Sequence, residues 1–298
     1  SYLDPANFYI TNPHLSQTDW GQDWIENELQ KAIANGDKGK LNVFLAKHLN
    51  VEIGQRLAND GWAGAEYWQG AGDNTLTLES LLGRSEVVTI GIDGGGLDDL
   101  LGFCVIGREK VTRKWLVWGR AWAHPIVLQR RKEIATSLKD FAADKDLVFC
   151  RHSTQDVEEV AALCVMIRES GLLPETASIG ADKLGLPGLV EALVEAGFKT
   201  IDEQGQITGI SQGGFLNPAI MGCERKLSDG TMVHAAQPLM AWAVGNAKVE
   251  MKSSARAITK QQAGSAKIDP LIALFNAAIL MSRNPEAAAK LDVLAMVA

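Results

Sequence analysis

Three apolar segments follow one another between positions 87 and 124: "VVTIGID", "LLGFCVIG" and "KWLVWGRAWAH". Their Val, Ile, Phe and Trp content is that of strands, and the stretches between them are a few residues long. A parallel connection needs a crossover of about a dozen residues or more, so these three must form an antiparallel meander. The chain then changes pattern. "STQDVEEVAALCVMIRESG" and "GLPGLVEALVEAGF" carry helical periodicity, and "TASIGAD" and "KTIDE" read as short strands. Strand and helix in alternation imply parallel pairing with crossover helices. Both halves can share one core only in a mixed sheet.

The expected fold class is therefore α/β, with three antiparallel strands then parallel strands in a central sheet flanked by helices. That chain order is the ribonuclease-H-like one, by fold-level analogy. Residues 1–84 read as a helical segment ahead of it and residues 85–298 as the sheet domain. In the first segment Ser16 and Asp19 have capping-box spacing, and Trp20, Trp24, Ile25, Leu29, Ala32 and Ile33 form a helical apolar stripe. "KLNVFLAKHLNVEIG" reads as a second helix, and residues 62–84 as an irregular connector. In the C-terminal third, helices are expected over "GGFLNPAIMGCERKLSDG", "PLMAWAVGNA" and "DPLIALFNAAILMSR", with a strand near "TMVHA" and a polar linker before the last helix.

Composition narrows the class further. A chain of 298 residues with 46% hydrophobic and 22% charged residues has the material of a globular core. No apolar run approaches the ~20 residues of a membrane span, and "SYLDPANFYI" lacks a signal pattern, so a soluble, intracellular protein is expected. Cys104, Cys150, Cys164 and Cys223 are far apart with no C-x-x-C pair, which excludes a zinc knuckle and predicts buried, reduced thiols. The net charge of −7 is wrong for a general nucleic-acid coat, so any DNA contact must use local patches.

Three carboxylates stand at element ends. Asp93 closes the first strand and enters "GGG"; Asp182 closes "TASIGAD", where α/β sheets gather their sites; Asp269 precedes Pro270 at a helix start, where it suits the N-cap. Each has an ordinary structural role to weigh against chemistry: an Asp-Gly turn, a surface loop, a cap. Together, on a fold whose first and fourth strands are neighbours, they meet the requirement for divalent-cation phosphodiester hydrolysis, with two Mg²⁺ or Mn²⁺ ions roughly 3.5–4 Å apart. Oxygen-only ligands suit those ions and not zinc. Asp98 and Asp99 lie just past the glycines, and His234 and Lys267 are secondary candidates for positioning water or phosphate. Cationic candidates for a DNA backbone are Arg113 and Lys114 in "REKVTRKW", and Lys248, Lys252, Arg256 and Lys260, which lead into Asp269 with Glu250 as the single acid among them. "QRRKE" is a further basic run.

Two other readings use the same residues. "GIDGGG" is also similar to the first phosphate loop of actin-like and sugar-kinase phosphotransferases, but the other glycine clusters, "ISQGGF" and "GLPG", lack a preceding strand Asp. A P-loop fails outright, because the Gly39-Lys40 pair is followed by Leu41 where Ser or Thr is required. A non-catalytic DNA-gripping or docking module remains the alternative to an enzyme.

The order of "LDPANFYITNPHL", "LNVFLAKHLNVEIG", "IGIDGGGLDDLLGF", "STQDVEEVAALCVMIRESG", "TMVHAAQPLMAWAVGNAKV" and "KIDPLIALFNAAI" resembles the large terminase subunits of tailed bacteriophages, over nearly the whole chain. The resemblance implies the nuclease half of that family, a metal-dependent endonuclease that cuts concatemeric double-stranded DNA during genome packaging. It implies Asp93, Asp182 and Asp269 as catalytic metal ligands. It also implies partners: a terminase ATPase domain, missing here and once joined through residues 1–84, a small terminase subunit and a portal, all in the host cell cytoplasm with no membrane. The family often has a polar segment after its first Asp, where three glycines stand here.

Overall fold

The computed structural model describes residues 8, 12, 19–34, 44–45, 61–182, 187–200, 204–252, 255–260 and 267–288. The chain divides into two compact units, Ser1–Gly61 and Trp62–Ala298. In the first, helix α1 (Asp19–Ala34) buries Ile25 and Leu29, four residues apart, against Phe8, Phe44 and Leu45. Trp24 and Ile33 are exposed, so the buried stripe is narrower than the sequence pattern. Ser16 and most of the expected second helix lie outside the described residues.

The second unit begins with residues that the sequence reading grouped with the N-terminal segment. Trp62, Trp68, Leu76 and Leu81 are buried in its cores. Short helices α2 (Ala65–Trp68) and α3 (Leu78–Arg84) stand where an irregular connector was expected. Thr77 starts α3 with a capping box: its side chain accepts from the Ser80 N–H at 3.2 Å, and Ser80 Oγ accepts from the Thr77 N–H at 2.9 Å.

The expected meander follows as β1 (Ser85–Gly94), β2 (Leu100–Glu109) and β3 (Trp115–Ala123), antiparallel throughout. Next come α4 (Val127–Arg130), α5 (Ala135–Ala143) and β4 (Leu147–Phe149), with β4 parallel to the end of β3. Neither α5 nor β4 was expected; a three-residue strand is too short to show a period. Then α6 (Gln155–Glu169), β5 (Ile179–Asp182), α7 (Pro187–Glu195) and β6 (Ile207–Ile210) supply the parallel alternation. The strand expected at "KTIDE" is displaced: Thr200 makes one bridge to Ile207, and residues 201–203 lie outside the described set. Helix α8 (Asn217–Ser228), β7 (Met232–His234) and α9 (Pro238–Gly245) match expectation. The strand order is β4-β3-β2-β1-β5-β6, with β7 also on β3. This is the ribonuclease-H-like mixed sheet, with the strand beside β1 fifth in the chain because β4 adds an edge.

The polar linker expected before the last helix is instead a hairpin, β8 (Ala247–Lys252) and β9 (Ala255–Lys260). Its "AKVEMK" alternates apolar and polar residues with period two, and Val249 lies opposite Ile258 and packs on the core. The final helix, α10 (Asp269–Met281), is buried on nearly every face, including Leu271, Leu274 and Phe275 at zero exposure. Burying each such side chain contributes about 1.5–3 kcal/mol.

Helix α10 lies directly on the sheet because glycines clear its path. A Cβ on Gly91 of β1 would fall 1.9 Å from the Ala273 carbonyl oxygen, and one on Gly102 of β2 would fall 2.6 Å from the Asp269 backbone. Helices α8 and α9 share this face, while α3, α6 and α7 cover the other. All four cysteines are buried free thiols, as expected, and burial pushes the Cys150 thiol up to about 11. Among the described residues no helix is long and apolar enough to cross a membrane.

Candidate functional site

Strand alternation decides where the acidic residues face. In β1, Val88, Ile90 and Ile92 belong to the core under α6 and α7, so Thr89, Gly91 and Asp93 face α10. The contacts agree: the Thr89 hydroxyl donates to the Ala277 carbonyl at 3.0 Å. In β5, Ile179 and Ala181 join the same core as Ile90, so Gly180 and Asp182 face α10 as well. The strands are parallel, with Ile92 opposite Ala181, and one further step sets Asp93 beside Asp182. Neighbouring strands are about 4.8 Å apart. Both residues are half-buried at the carboxyl end of the sheet.

Asp269 reaches this end from above. It is the first residue of α10, one place past the cap position, which Ile268 occupies. Its backbone presses on Gly102, the residue opposite Asp93, and its Oδ1 lies 2.8 Å from where a Cβ on Gly94 would stand. Helix N-termini favour a carboxylate there. The structure thus brings the three expected carboxylates to one face at one end of the sheet. Among the described residues, no group of three His, Cys, Asp or Glu side chains is gathered into a ready metal cage.

The three glycines after Asp93 now have a physical reason. Gly94, Gly95 and Gly96 have φ of 80°, 107° and 97°, a run of left-handed backbone that side-chain-bearing residues rarely adopt. The Gly95 N–H donates to the Leu100 carbonyl at 2.8 Å, which turns the chain back into β2 at once. The far side of this loop is held by cations. Lys267 Nζ, with its side chain 3% exposed, donates to Asp99 Oδ1 at 2.6 Å and to the Asp98 carbonyl at 2.9 Å. Arg131 Nη2 donates to Asp98 Oδ2 at 3.2 Å. Lys267→Met is expected to cost about 2 kcal/mol in urea unfolding, the scale of charge-assisted hydrogen bonds. The cost stays below that of a fully buried broken pair because the Asp99 side chain is 33% exposed and can rehydrate.

The remaining candidates lie elsewhere. Arg113 and Lys114 are at the β2–β3 turn, next to the start of β1 and so at the other end of the sheet; Arg113 pairs with Glu86. Arg131, from the "QRRKE" run that follows β3, instead pairs with Asp98 in the loop that leaves Asp93. Lys248, Lys252, Arg256 and Lys260 are all on the β8–β9 hairpin, where Arg256 Nη1 binds Glu224 at 2.7 Å.

His234 is part of the fold's own bonding. It ends β7, which pairs with the first residues of β3, far from Asp93. Its Nε2 donates to the Trp68 carbonyl at 2.6 Å, its Nδ1 accepts from the Ala236 N–H at 3.1 Å, and its ring stacks on Trp68. Burial pushes its pKa below the ordinary 6.5, against the opposing pull of the Trp68 carbonyl. The unfolded chain therefore takes up the proton first. The stabilising contribution is full above pH 6.5 and is lost as pH falls through the folded value. Unfolding free energy is expected to drop between pH 7 and 5, and to drop less in His234→Gln.

No protein-family model matches the sequence, and no curated protein matches it. Among solved structures, the chain is similar to the large terminase of bacteriophage HK97, with 15% identity and a TM-score of 0.56 over 93% of this chain and 54% of that one. It is also similar to the large terminase nuclease of thermophilic phage G20c (13% identity, TM-score 0.41, 64% of this chain and 80% of that). A third is the large terminase nuclease domain of bacteriophage SPP1 with bound Mn (16%, 0.40, 72% and 95%). This chain spans about half the length of the HK97 protein. The HK97 likeness carries the comparison, and what it establishes is a fold shared with about half of that protein.

Proposed function

We propose that this chain is a divalent-metal-dependent endonuclease for double-stranded DNA, with Asp93, Asp182 and Asp269 as its metal ligands and catalytic residues. What supports the reading is that β1, β5 and the start of α10 each carry one carboxylate at the α10 face of the sheet's carboxyl end. By donor type the residues fit a hard cation, since all three are carboxylates, which suit such ions better than thiols or imidazoles do. Bound Mg²⁺ or Mn²⁺, two ions in the full reading, supplies an activated water and charge stabilisation at the leaving oxygen. Asp93 and Asp182 hold their positions through the strand pairing, and Asp269 through the close seat of α10 on Gly102. The side-chain-free Gly94–Gly96 turn keeps bulk away from an approaching phosphate backbone, and Lys267 and Arg131 hold its far side. The hairpin cations Lys248, Lys252, Arg256 and Lys260 are the proposed backbone contacts. In biological terms, the proposal is cutting of concatemeric phage DNA during packaging, in the host cytoplasm, with an ATPase motor, a small subunit and a portal as partners.

The test is supercoiled plasmid with Mn²⁺. Nicked and linear products that vanish with EDTA are the expected result. DNA that is bound and left intact would instead mark a gripping module.

A further inference from the structure

We propose that Asn276 is a positioning residue for the carboxylate site, a role that rests on the metal-site reading above. Between Asp269 and Met281 it is the one polar side chain of α10, and it has no exposure at all. A buried amide is costly unless its hydrogen bonds are made, and an apolar residue would fill the same space without that demand. Its bonds have a common destination. Nδ2 donates to the Ile92 carbonyl at 2.9 Å, fixing the peptide plane from which Asp93 departs. Oδ1 accepts from Gln212 Nε2 at 3.2 Å, and Gln212 Nε2 also lies 3.3 Å from the carbonyl of Ile210, the residue opposite Asp182. A Cβ on Gly180 would fall 3.0 Å from the Asn276 carbonyl, so helix and strand meet here without slack. One amide, on the helix that begins with Asp269, thus ties the backbone carrying Asp93 to the strand end beside Asp182. Such outer partners set the geometry in which ligands meet a cation, and their loss typically weakens metal binding by about 10–100-fold.

The experiment measures Mn²⁺ affinity by electron paramagnetic resonance of free Mn²⁺, on the full chain and well below each variant's melting point. Asn276→Asp keeps the shape but turns the donor facing the Ile92 carbonyl into an acceptor. Gln212→Ala is the milder variant, a half-buried residue whose loss leaves the Ile92 bond in place. Thr89→Val is the control, because it deletes an equally buried bond between β1 and α10, made to Ala277 next to Asn276 but three residues back from Ile92 on the strand. The expected result is Mn²⁺ affinity weakened about tenfold in Asn276→Asp and about threefold in Gln212→Ala, with Thr89→Val unchanged although its melting point falls. Wild-type affinity in both Asn276→Asp and Gln212→Ala would overturn the positioning role. If Asp93→Asn still abolishes Mn²⁺ binding, the metal site survives that outcome; if the wild type binds no Mn²⁺, both readings fall.

Discussion

Gly91→Ala is expected to destabilise the protein by about 3 kcal/mol or more, at the upper end of what overpacking costs. The added methyl would stand 1.9 Å from the Ala273 carbonyl oxygen and 2.5 Å from the Ala277 nitrogen, both backbone atoms of a helix buried along its length. No rotamer change relieves such a clash. Either α10 lifts from the sheet, breaking the Thr89 and Asn276 hydrogen bonds, or β1 bends away from β2. In a domain of this size the change corresponds to a melting-point drop of about 6–12 °C, readable by circular dichroism. Gly83→Ala is the matched control: it sits in helix α3 with nothing within 4 Å of its would-be Cβ, and is expected to be neutral or stabilising by up to about 1 kcal/mol. Equal melting of Gly91→Ala and wild type would mean that α10 does not rest on β1 as described.

The meander could be read because its strands are long and its loops short, and α10 because its apolar run starts at Asp-Pro. The hairpin at 247–260 was not legible as strands, because Lys, Arg and Ser gave the segment a linker's composition and masked the facing pair Val249 and Ile258. β4 was missed because three residues carry no pattern. At the site, the carboxylates were legible as element ends, but the surrounding contacts are products of tertiary packing. Nothing local in "QRRKE" says that Arg131 meets Asp98, and nothing near His234 says that both its nitrogens are taken by backbone groups. Asn276 had one sequence signal, a lone amide in an apolar helix, whose meaning depends on Ile92 arriving from β1 and Gln212 from the loop after β6.

Asp93→Asn is the second large effect, and it falls on activity rather than stability. The substitution keeps the side chain's shape and removes one negative charge from a face shared with Asp182 and Asp269. Plasmid cleavage in Mn²⁺ is expected to fall by about a thousandfold or more, since an amide is a poor ligand for a hard cation and supplies no charge to hold it. The melting point without metal is expected to stay within a few degrees of wild type, because the side chain is half-buried and the amide keeps its shape. Asp98→Asn, in the same loop but paired with Arg131, is expected to change cleavage far less.

The most direct measurement is the anomalous diffraction of Mn²⁺ in crystals soaked with the ion. The account predicts density bounded by Asp93, Asp182 and Asp269, at the carboxyl ends of β1 and β5 and under the first turn of α10, and its loss in Asp93→Asn. Mn²⁺ bound elsewhere while that face stays without density, in a protein that still cuts DNA, would contradict it.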